Sequence, residues 1–167
     1  SIQLRSQVNK GSIFWFEVTM HLDTHVVEPV SSLVLLKRVK VLIVEDSDVE
    51  SSVLLELVNE AGMFATLAAG IGEAITQIQY AALNNSPYQL GIISSALGHG
   101  GAIGFRKQLE SQQTPLTFPL VALTYGESHT SLKEYTLANF QAVLTRPFKS
   151  AVLLETLCAV LQAYRQG

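Results

Sequence analysis

Two adjacent carboxylates, Glu45 and Asp46, follow an apolar run and are the residues of this 167-residue chain that most suggest chemistry. Carboxylate oxygens are ligands that Mg²⁺ takes in proteins, usually one or two of them together with waters. Alone, such a pair is also typical of a helix start, where acids stabilise the positive end of the helix dipole. Glu45 and Asp46 are therefore weak candidate ligands for Mg²⁺, and we predict no metal site from them.

Three more polar residues stand at or just after the ends of later apolar runs: Ser94, Thr124 and Arg146. A serine in such a place is a phosphorylation site or, far more often, a solvated or capped hydroxyl, and a threonine can simply cap a strand. Arg146 precedes Pro147 and carries a planar guanidinium that suits a permanent pair with carboxylates. We therefore expect Arg146 to fold over the acidic pair and to supply the positive charge there.

Strand and helix signals alternate five times from residue 39 onward, which predicts the elements that position these side chains. The predicted strands cover residues 39–44, 64–68, 89–94, 120–124 and 142–145, and the helices between and after them end with a long one over 151–164. Such alternation requires parallel strands and right-handed crossovers, giving an α/β fold with a doubly wound five-stranded parallel sheet. Ligands of such sheets lie beyond the carboxyl ends of the strands, so the polar residues above converge there.

The chain before this region divides into two further zones. Residues 1–20 hold two β-prone runs around a polar, glycine-bearing turn at 9–12, which predicts a β-hairpin. Residues 21–38 mix polar residues, Pro29 and short apolar pieces, which is typical of a linker. The predicted organisation is thus a hairpin over 1–20, a linker over 21–38 and an α/β domain over 39–167.

Composition excludes several classes of protein. Hydrophobic residues make up 48% of the chain and charged ones 15%, which excludes intrinsic disorder. The net charge of −3, with no basic stripe, argues against nucleic-acid binding. A single cysteine, Cys158, excludes an internal disulfide framework. No apolar run approaches the ~18–20 residues that span a bilayer, so we expect a cytoplasmic segment without membrane contact.

Four stretches carry a resemblance to a known family: Val-Leu-Ile-Val-Glu-Asp (41–46), Tyr-Gln-Leu-Gly-Ile-Ile-Ser (88–94), Pro-Leu-Val-Ala-Leu-Thr (119–124) and Leu-Thr-Arg-Pro-Phe-Lys (144–149). In this order and spacing they resemble a response-regulator receiver domain, whose fold is (βα)5 and flavodoxin-like. The stretch Lys-Gly-Ser-Ile-Phe-Trp-Phe (10–16) resembles the last hairpin of a histidine-kinase ATP-binding domain. This order of parts is that of a hybrid sensor histidine kinase in a two-component phosphorelay.

The resemblance implies which residues belong to the family's pocket. Glu45 and Asp46 match the acidic pair that binds Mg²⁺ in receivers, and Thr124 matches the hydroxyl after the fourth strand. The resemblance also implies that the peptide bond before Pro147 is cis.

Three positions depart from the family pattern. Ser94 stands where receivers carry the aspartate that accepts the phosphoryl group, Arg146 replaces the lysine, and Val143 replaces the aromatic switch residue. A serine without a nearby base is un-ionised and a poor nucleophile. The resemblance therefore implies a degenerate pseudo-receiver that is not phosphorylated and has no catalysis or cofactor of its own.

We expect such a module to regulate a hybrid kinase through contacts with its kinase domains or with another signalling protein. Two alternatives stay open: an atypical receiver phosphorylated at a residue other than aspartate, and a flavodoxin-like module that binds a small ligand. Leu132 and Tyr135 on the fourth helix are candidate partner contacts, unless both are buried. The apolar hairpin is expected to form a homodimer, and kinase activity or a membrane anchor of the parent protein would need preceding segments.

Overall fold

The computed structural model describes residues 2–8, 10–17, 31–126 and 132–166. The chain divides into two compact units, Ser1–Val30 and Ser31–Gly167, and each is considered by itself. Within the described ranges, no helix combines the length and the apolar character needed to cross a bilayer.

The first unit contains the predicted β-hairpin. Strands β1 (Ile2–Gln7) and β2 (Gly11–Phe16) pair antiparallel, with Ile2 opposite Phe16. Gly11 has φ +98°, a left-handed conformation that glycine adopts without strain, and this closes the turn. All residues of both strands are exposed, including the apolar run that begins at Ile13.

The second unit alternates strands and helices. Its elements are a 3-10 helix η1 (Ser31–Leu36), β3 (Lys40–Val44), α1 (Asp48–Glu60), β4 (Phe64–Ala68), α2 (Ile71–Leu83), β5 (Leu90–Ser94), α3 (Gly101–Ser111), β6 (Leu120–Tyr125), α4 (Leu132–Leu137), β7 (Ala142–Arg146) and α5 (Ser150–Gln166). The five strands β3 to β7 form one parallel sheet in the order β4-β3-β5-β6-β7. This confirms the predicted doubly wound α/β fold.

Apolar residues fill both faces of the sheet. One core cluster joins the sheet to α2, α3 and the region of α4, and the other joins it to α1, α5 and η1. The central strands are buried on both sides: β5 has no exposed residue, and Val41 to Val44 of β3 are all 0% exposed. Near-continuous β-branched and aliphatic runs are what such doubly covered strands require.

The second unit begins earlier than the predicted domain start at residue 39. Residues 31–38, which the sequence assigned to the linker over 21–38, belong to this unit. The reason is the apolar run in η1, where Leu36 is fully buried and the helix packs against α5. Residues 18–30 lie outside the described part of the chain.

Candidate functional site

The polar residues predicted to converge do lie at the carboxyl edge of the sheet. Glu45 follows β3, Ser94 ends β5, Thr124 lies near the end of β6 and Arg146 ends β7. Burial is deep for three of them, with Glu45 2%, Ser94 1% and Thr124 4% exposed. Buried polar groups need partners inside the protein, so their hydrogen bonds define what the site can do.

Both carboxylate oxygens of Glu45 are engaged by the protein. Its Oε2 accepts a hydrogen bond from Nη2 of Arg146 at 2.9 Å, and its Oε1 accepts one from the backbone N–H of Ser47 at 3.1 Å. Ser47 is also the N-cap residue of α1, where its hydroxyl accepts from the N–H of Glu50. The buried charge of Glu45 is thus compensated by a guanidinium and a backbone donor.

Arg146 is the centre of this network. Besides Glu45, its Nη1 donates to Glu50 on the first turn of α1 and to the hydroxyl of Tyr125 at 2.9 Å. Its guanidinium also lies 5.3 Å from the centre of the Tyr125 ring. The planar fork of an arginine can serve two carboxylates at once, which the point charge of a lysine does less specifically. The predicted contact with Glu45 is therefore present, whereas Glu50 and Tyr125 were not predicted.

Tyr125 reaches the network because β6 pairs with β7 in a register that sets Tyr125 opposite Arg146. Its hydroxyl accepts from Arg146 and donates to Glu50. Burial, and then the negative charges of Glu45 and Asp46, raise the pKa of Tyr125 above its ordinary value of 10.0. This shift extends to higher pH the range in which the phenol is neutral and can donate to a carboxylate.

Asp46 takes no part in the network. It is exposed, and none of the ion pairs within the described residues includes its carboxylate. Arg146 therefore pairs with Glu45, as predicted, but its second carboxylate partner is Glu50 and not Asp46.

The residues at this edge fit a magnesium ion poorly. Glu45 has both oxygens committed, Ser94 supplies no carboxylate, and Arg146 already places a positive charge against the acids. Within the part of the chain that the structure describes, no group of three His, Cys, Asp or Glu side chains stands close enough to hold a metal. Of the adjacent acids Glu45 and Asp46, Asp46 is the one whose carboxylate stays open to solvent.

Ser94 has a local structural role. Its hydroxyl accepts a hydrogen bond from the N–H of Ala96 at 3.3 Å, and the side chain is shielded from solvent. No basic group of the described chain is hydrogen-bonded to the Ser94 hydroxyl. A serine in this state is neither activated nor accessible as a nucleophile.

Thr124 and Val143 lie beside the network. The Thr124 hydroxyl is 3.3 Å from the hydroxyl of Thr145 on β7, and Val143 packs, partly buried, against the core cluster that contains Tyr135. Val143 has no ring that could turn between two positions. The peptide bond between Arg146 and Pro147 is cis, as the resemblance implied.

Leu132 and Tyr135 on α4 were predicted as candidate partner contacts, and the prediction is wrong for Tyr135. Leu132 is 69% exposed, but Tyr135 is only 2% exposed and packs edge-on against Phe140 at 5.7 Å between ring centres. Tyr135 is the buried residue of α4 and belongs to the core cluster that also holds Phe140. Only Leu132 of the two is available to a partner.

No protein-family model and no curated protein matches the sequence. Solved structures do match. The chemotaxis protein CheY4 of Vibrio cholerae has a TM-score of 0.64 and 25% identity, over 74% of this chain and 98% of that one. A protein described as a response regulator of Chloroflexus aurantiacus has a TM-score of 0.63 and 26% identity, over 75% and 99%.

A third similar structure is the CheY-like receiver domain protein of Methanospirillum hungatei, with a TM-score of 0.64 and 14% identity over 77% of this chain and 98% of that one. These neighbours are receiver domains of response regulators. The second unit therefore has the flavodoxin-like receiver fold of two-component response regulators.

Proposed function

We propose that residues 31–167 form a pseudo-receiver that is not phosphorylated and that regulates a two-component hybrid histidine kinase, or its phosphorelay, through protein–protein contacts. The observation that carries this proposal is the closed network of Glu45, Arg146 and Glu50 beside a buried Ser94. The guanidinium of Arg146 lies against the acids that a metal ion would need, and β5 ends at Ser94 rather than at a carboxylate.

The chemistry of phosphoryl transfer supports the same conclusion. Making an acyl phosphate requires a carboxylate nucleophile, and stabilising the transferred group requires positive charge that is free to contact it. Here the nucleophile position holds a hydroxyl that accepts from Ala96, and the guanidinium of Arg146 is occupied by two carboxylates. On this proposal the site keeps one conformation and does not switch between a phosphorylated and an unphosphorylated form.

The kinase context of this proposal comes from the hairpin. Residues 10–16 resemble the end of a histidine-kinase ATP-binding domain, and the receiver fold follows in the order found in hybrid kinases. The partners we propose are kinase domains of the same protein or another signalling protein. The module then acts in the cytoplasm by binding rather than by catalysis.

Incubation of the full 167-residue chain with radiolabelled acetyl phosphate and Mg²⁺ tests the proposal. We expect no acid-stable or acid-labile label on the wild-type chain. Ser94→Asp supplies the missing carboxylate but leaves Arg146 in place, so we expect little label; adding Arg146→Lys should increase it. Stable label on Ser94 of the wild type would contradict the proposal and would favour an atypical receiver.

A further inference from the structure

A groove of about 530 Å³ lies between the end of α2 and the segment that follows α3. Both helices start near the carboxyl end of one strand and end near the amino end of the next strand along the chain. The groove therefore lies at the amino edge of the sheet, opposite to the edge that carries Glu45 and Arg146.

One hydrogen bond joins the two walls of the groove. Nε2 of Gln79 on α2 donates to Oγ1 of Thr114, which follows α3, at 3.0 Å. The backbone N–H of Thr114 donates to the carbonyl of Leu109, a residue of α3 that is 1% exposed. A groove formed before binding needs less ordering when a partner enters, which favours affinity.

The lining of the groove includes an apolar surface with one projecting side chain. Ile78 is 4% exposed, whereas Leu83, one turn further along α2, is 83% exposed. Ala82 and Pro115 complete the apolar lining. A single exposed leucine is ordinary on a protein surface, but beside a concave apolar surface it offers area that a partner side chain can bury.

Two helices end at the groove without a cation near their carbonyl groups. None of the described residues that line the groove is charged, and neither α2 nor α3 has a basic residue in its last turn. Lys40 reaches the loop after α2, but its ammonium group donates to Ser86 and lies 4.9 Å from the centre of the Tyr88 ring. Arg106 and Lys107 line a separate surface between α3 and α4. The partial negative charge of both helix ends is therefore open to a cation from outside.

Exposed amide side chains surround the apolar surface. Gln79, Gln112 and Gln113 line the groove and are all exposed. A glutamine amide both donates and accepts hydrogen bonds, so it can pair with the N–H and C=O groups of a peptide backbone. These groups are free in an extended segment but are already bonded inside a helix, so the amides favour an extended occupant.

We infer that this groove binds an extended segment of a partner protein in which an aliphatic side chain is followed by lysine or arginine. The aliphatic side chain packs on Ile78 and Leu83, and the cation lies against the ends of α2 and α3. A second copy of the groove is disfavoured as the occupant, because it brings no cation. The inference goes beyond the proposed function, since it concerns the other edge of the sheet and does not depend on whether Ser94 is phosphorylated.

The test uses the ¹⁵N-labelled full chain and three short peptides with blocked ends in a glycine–serine background. The first has a central Leu-Lys pair, the second Leu-Glu and the third Ser-Lys. We expect the first to bind saturably at millimolar concentration, with NMR shift changes confined to residues 78–83 and 112–115 and with affinity that falls as salt rises. The other two should bind at least about fivefold more weakly.

Variants give the matched controls. Leu83→Gln removes the projecting side chain without changing charge and should weaken binding of the Leu-Lys peptide by about fivefold. Leu137→Gln alters a leucine of α4 that is 77% exposed and should leave affinity unchanged. Gln112→Lys places a cation at the end of α3, so it should weaken binding of the Leu-Lys peptide and strengthen that of Leu-Glu. Circular dichroism of each variant checks that it is folded.

Five results would overturn the inference: equal binding of Leu-Glu and Leu-Lys, shift changes centred away from the ends of α2 and α3, no saturable binding, equal weakening by Leu83→Gln and Leu137→Gln, or concentration-dependent shifts at 78–83 without peptide, which would identify a second copy as the occupant. These results are separable from a failure of the proposed function. Label on Ser94 would refute the pseudo-receiver while leaving peptide binding intact, and lack of peptide binding would leave the labelling result unchanged.

Discussion

Replacing Arg146 by methionine should destabilise the second unit strongly, because it leaves a buried carboxylate without its charge partner. The Glu45 side chain is 1% exposed and that of Arg146 is 11% exposed, so water cannot replace the guanidinium without local opening. Removing one partner of a buried ion pair typically costs about 3–5 kcal/mol. We expect a loss near the lower end, about 3 kcal/mol, because the backbone N–H of Ser47 still donates to Glu45.

Urea unfolding followed by circular dichroism measures this loss as a lower midpoint with an unchanged slope. Glu45→Gln combined with Arg146→Met removes both charges and should recover more than half of the lost stability, since the cost comes from the uncompensated charge. Glu110→Gln is the control for an ordinary surface pair. Glu110 is 65% exposed beside Arg106, and losing that pair should cost no more than about 0.5 kcal/mol.

A loss below about 1 kcal/mol for Arg146→Met would refute this reasoning, because it would mean that Glu45 does not depend on the guanidinium. Failure of the double variant to recover stability would also contradict it. In that case packing of the arginine stem, rather than charge compensation, would be what Arg146 contributes.

Three further outcomes follow from particular contacts. Tyr125→Phe should lower the free energy of unfolding by about 1 kcal/mol in urea titrations at neutral pH, since the lost hydroxyl accepts from Arg146 and donates to Glu50. Because folding raises the pKa of Tyr125, this tyrosine contributes its full share to the free energy of unfolding below its unfolded pKa of 10.0, and that share is lost as pH rises through the folded pKa. The phenylalanine variant should not show this loss of stability at alkaline pH in the same titrations. Tyr135→Ala should cost about 3–5 kcal/mol by urea unfolding and Leu132→Ala within about 0.5 kcal/mol, and equal costs would contradict the burial difference. Light scattering should give a dimer for the whole chain and a monomer after removal of residues 1–20, whereas a monomer in both cases would show that the exposed apolar hairpin does not self-associate.

Much of the fold could be predicted because its strands are buried on both faces. Runs such as 39–44 consist almost wholly of β-branched and aliphatic residues, and the helices between them show apolar residues at helical spacing. Parallel connectivity then places the ends of β3, β5, β6 and β7 at one edge. The grouping of Glu45, Ser94 and Arg146 follows from that topology alone.

The partners of Arg146 were harder to predict, because they depend on register and on side-chain reach. Tyr125 meets Arg146 only through the pairing of β6 with β7, and Glu50 meets it only because α1 starts at Asp48. The one available signal was that Tyr125 directly follows Thr124, a predicted pocket residue. Neither the spacing nor the composition distinguishes Glu50 from the other acids of α1.

The start of the second unit and the buried side of α4 could not be predicted from the sequence pattern either. The apolar run in η1 is followed by Lys37 and Arg38, which made it resemble part of a linker, yet Leu36 completes the core against α5. In α4, six residues are too few to show a clear apolar side. The burial of Tyr135 therefore became evident only from its packing against Phe140.

Titration of the full chain with Mg²⁺, followed by isothermal calorimetry and by NMR shifts of residues 45–50, tests most directly whether Arg146 has replaced the metal. The network predicts no saturable binding below millimolar Mg²⁺, because Glu45 is committed to Arg146 and Ser47, and Asp46 is the one member of the adjacent acidic pair with an open carboxylate. Micromolar binding at neutral pH that disappears in Asp46→Asn would contradict the account, since the acidic pair would then hold a cation despite the guanidinium.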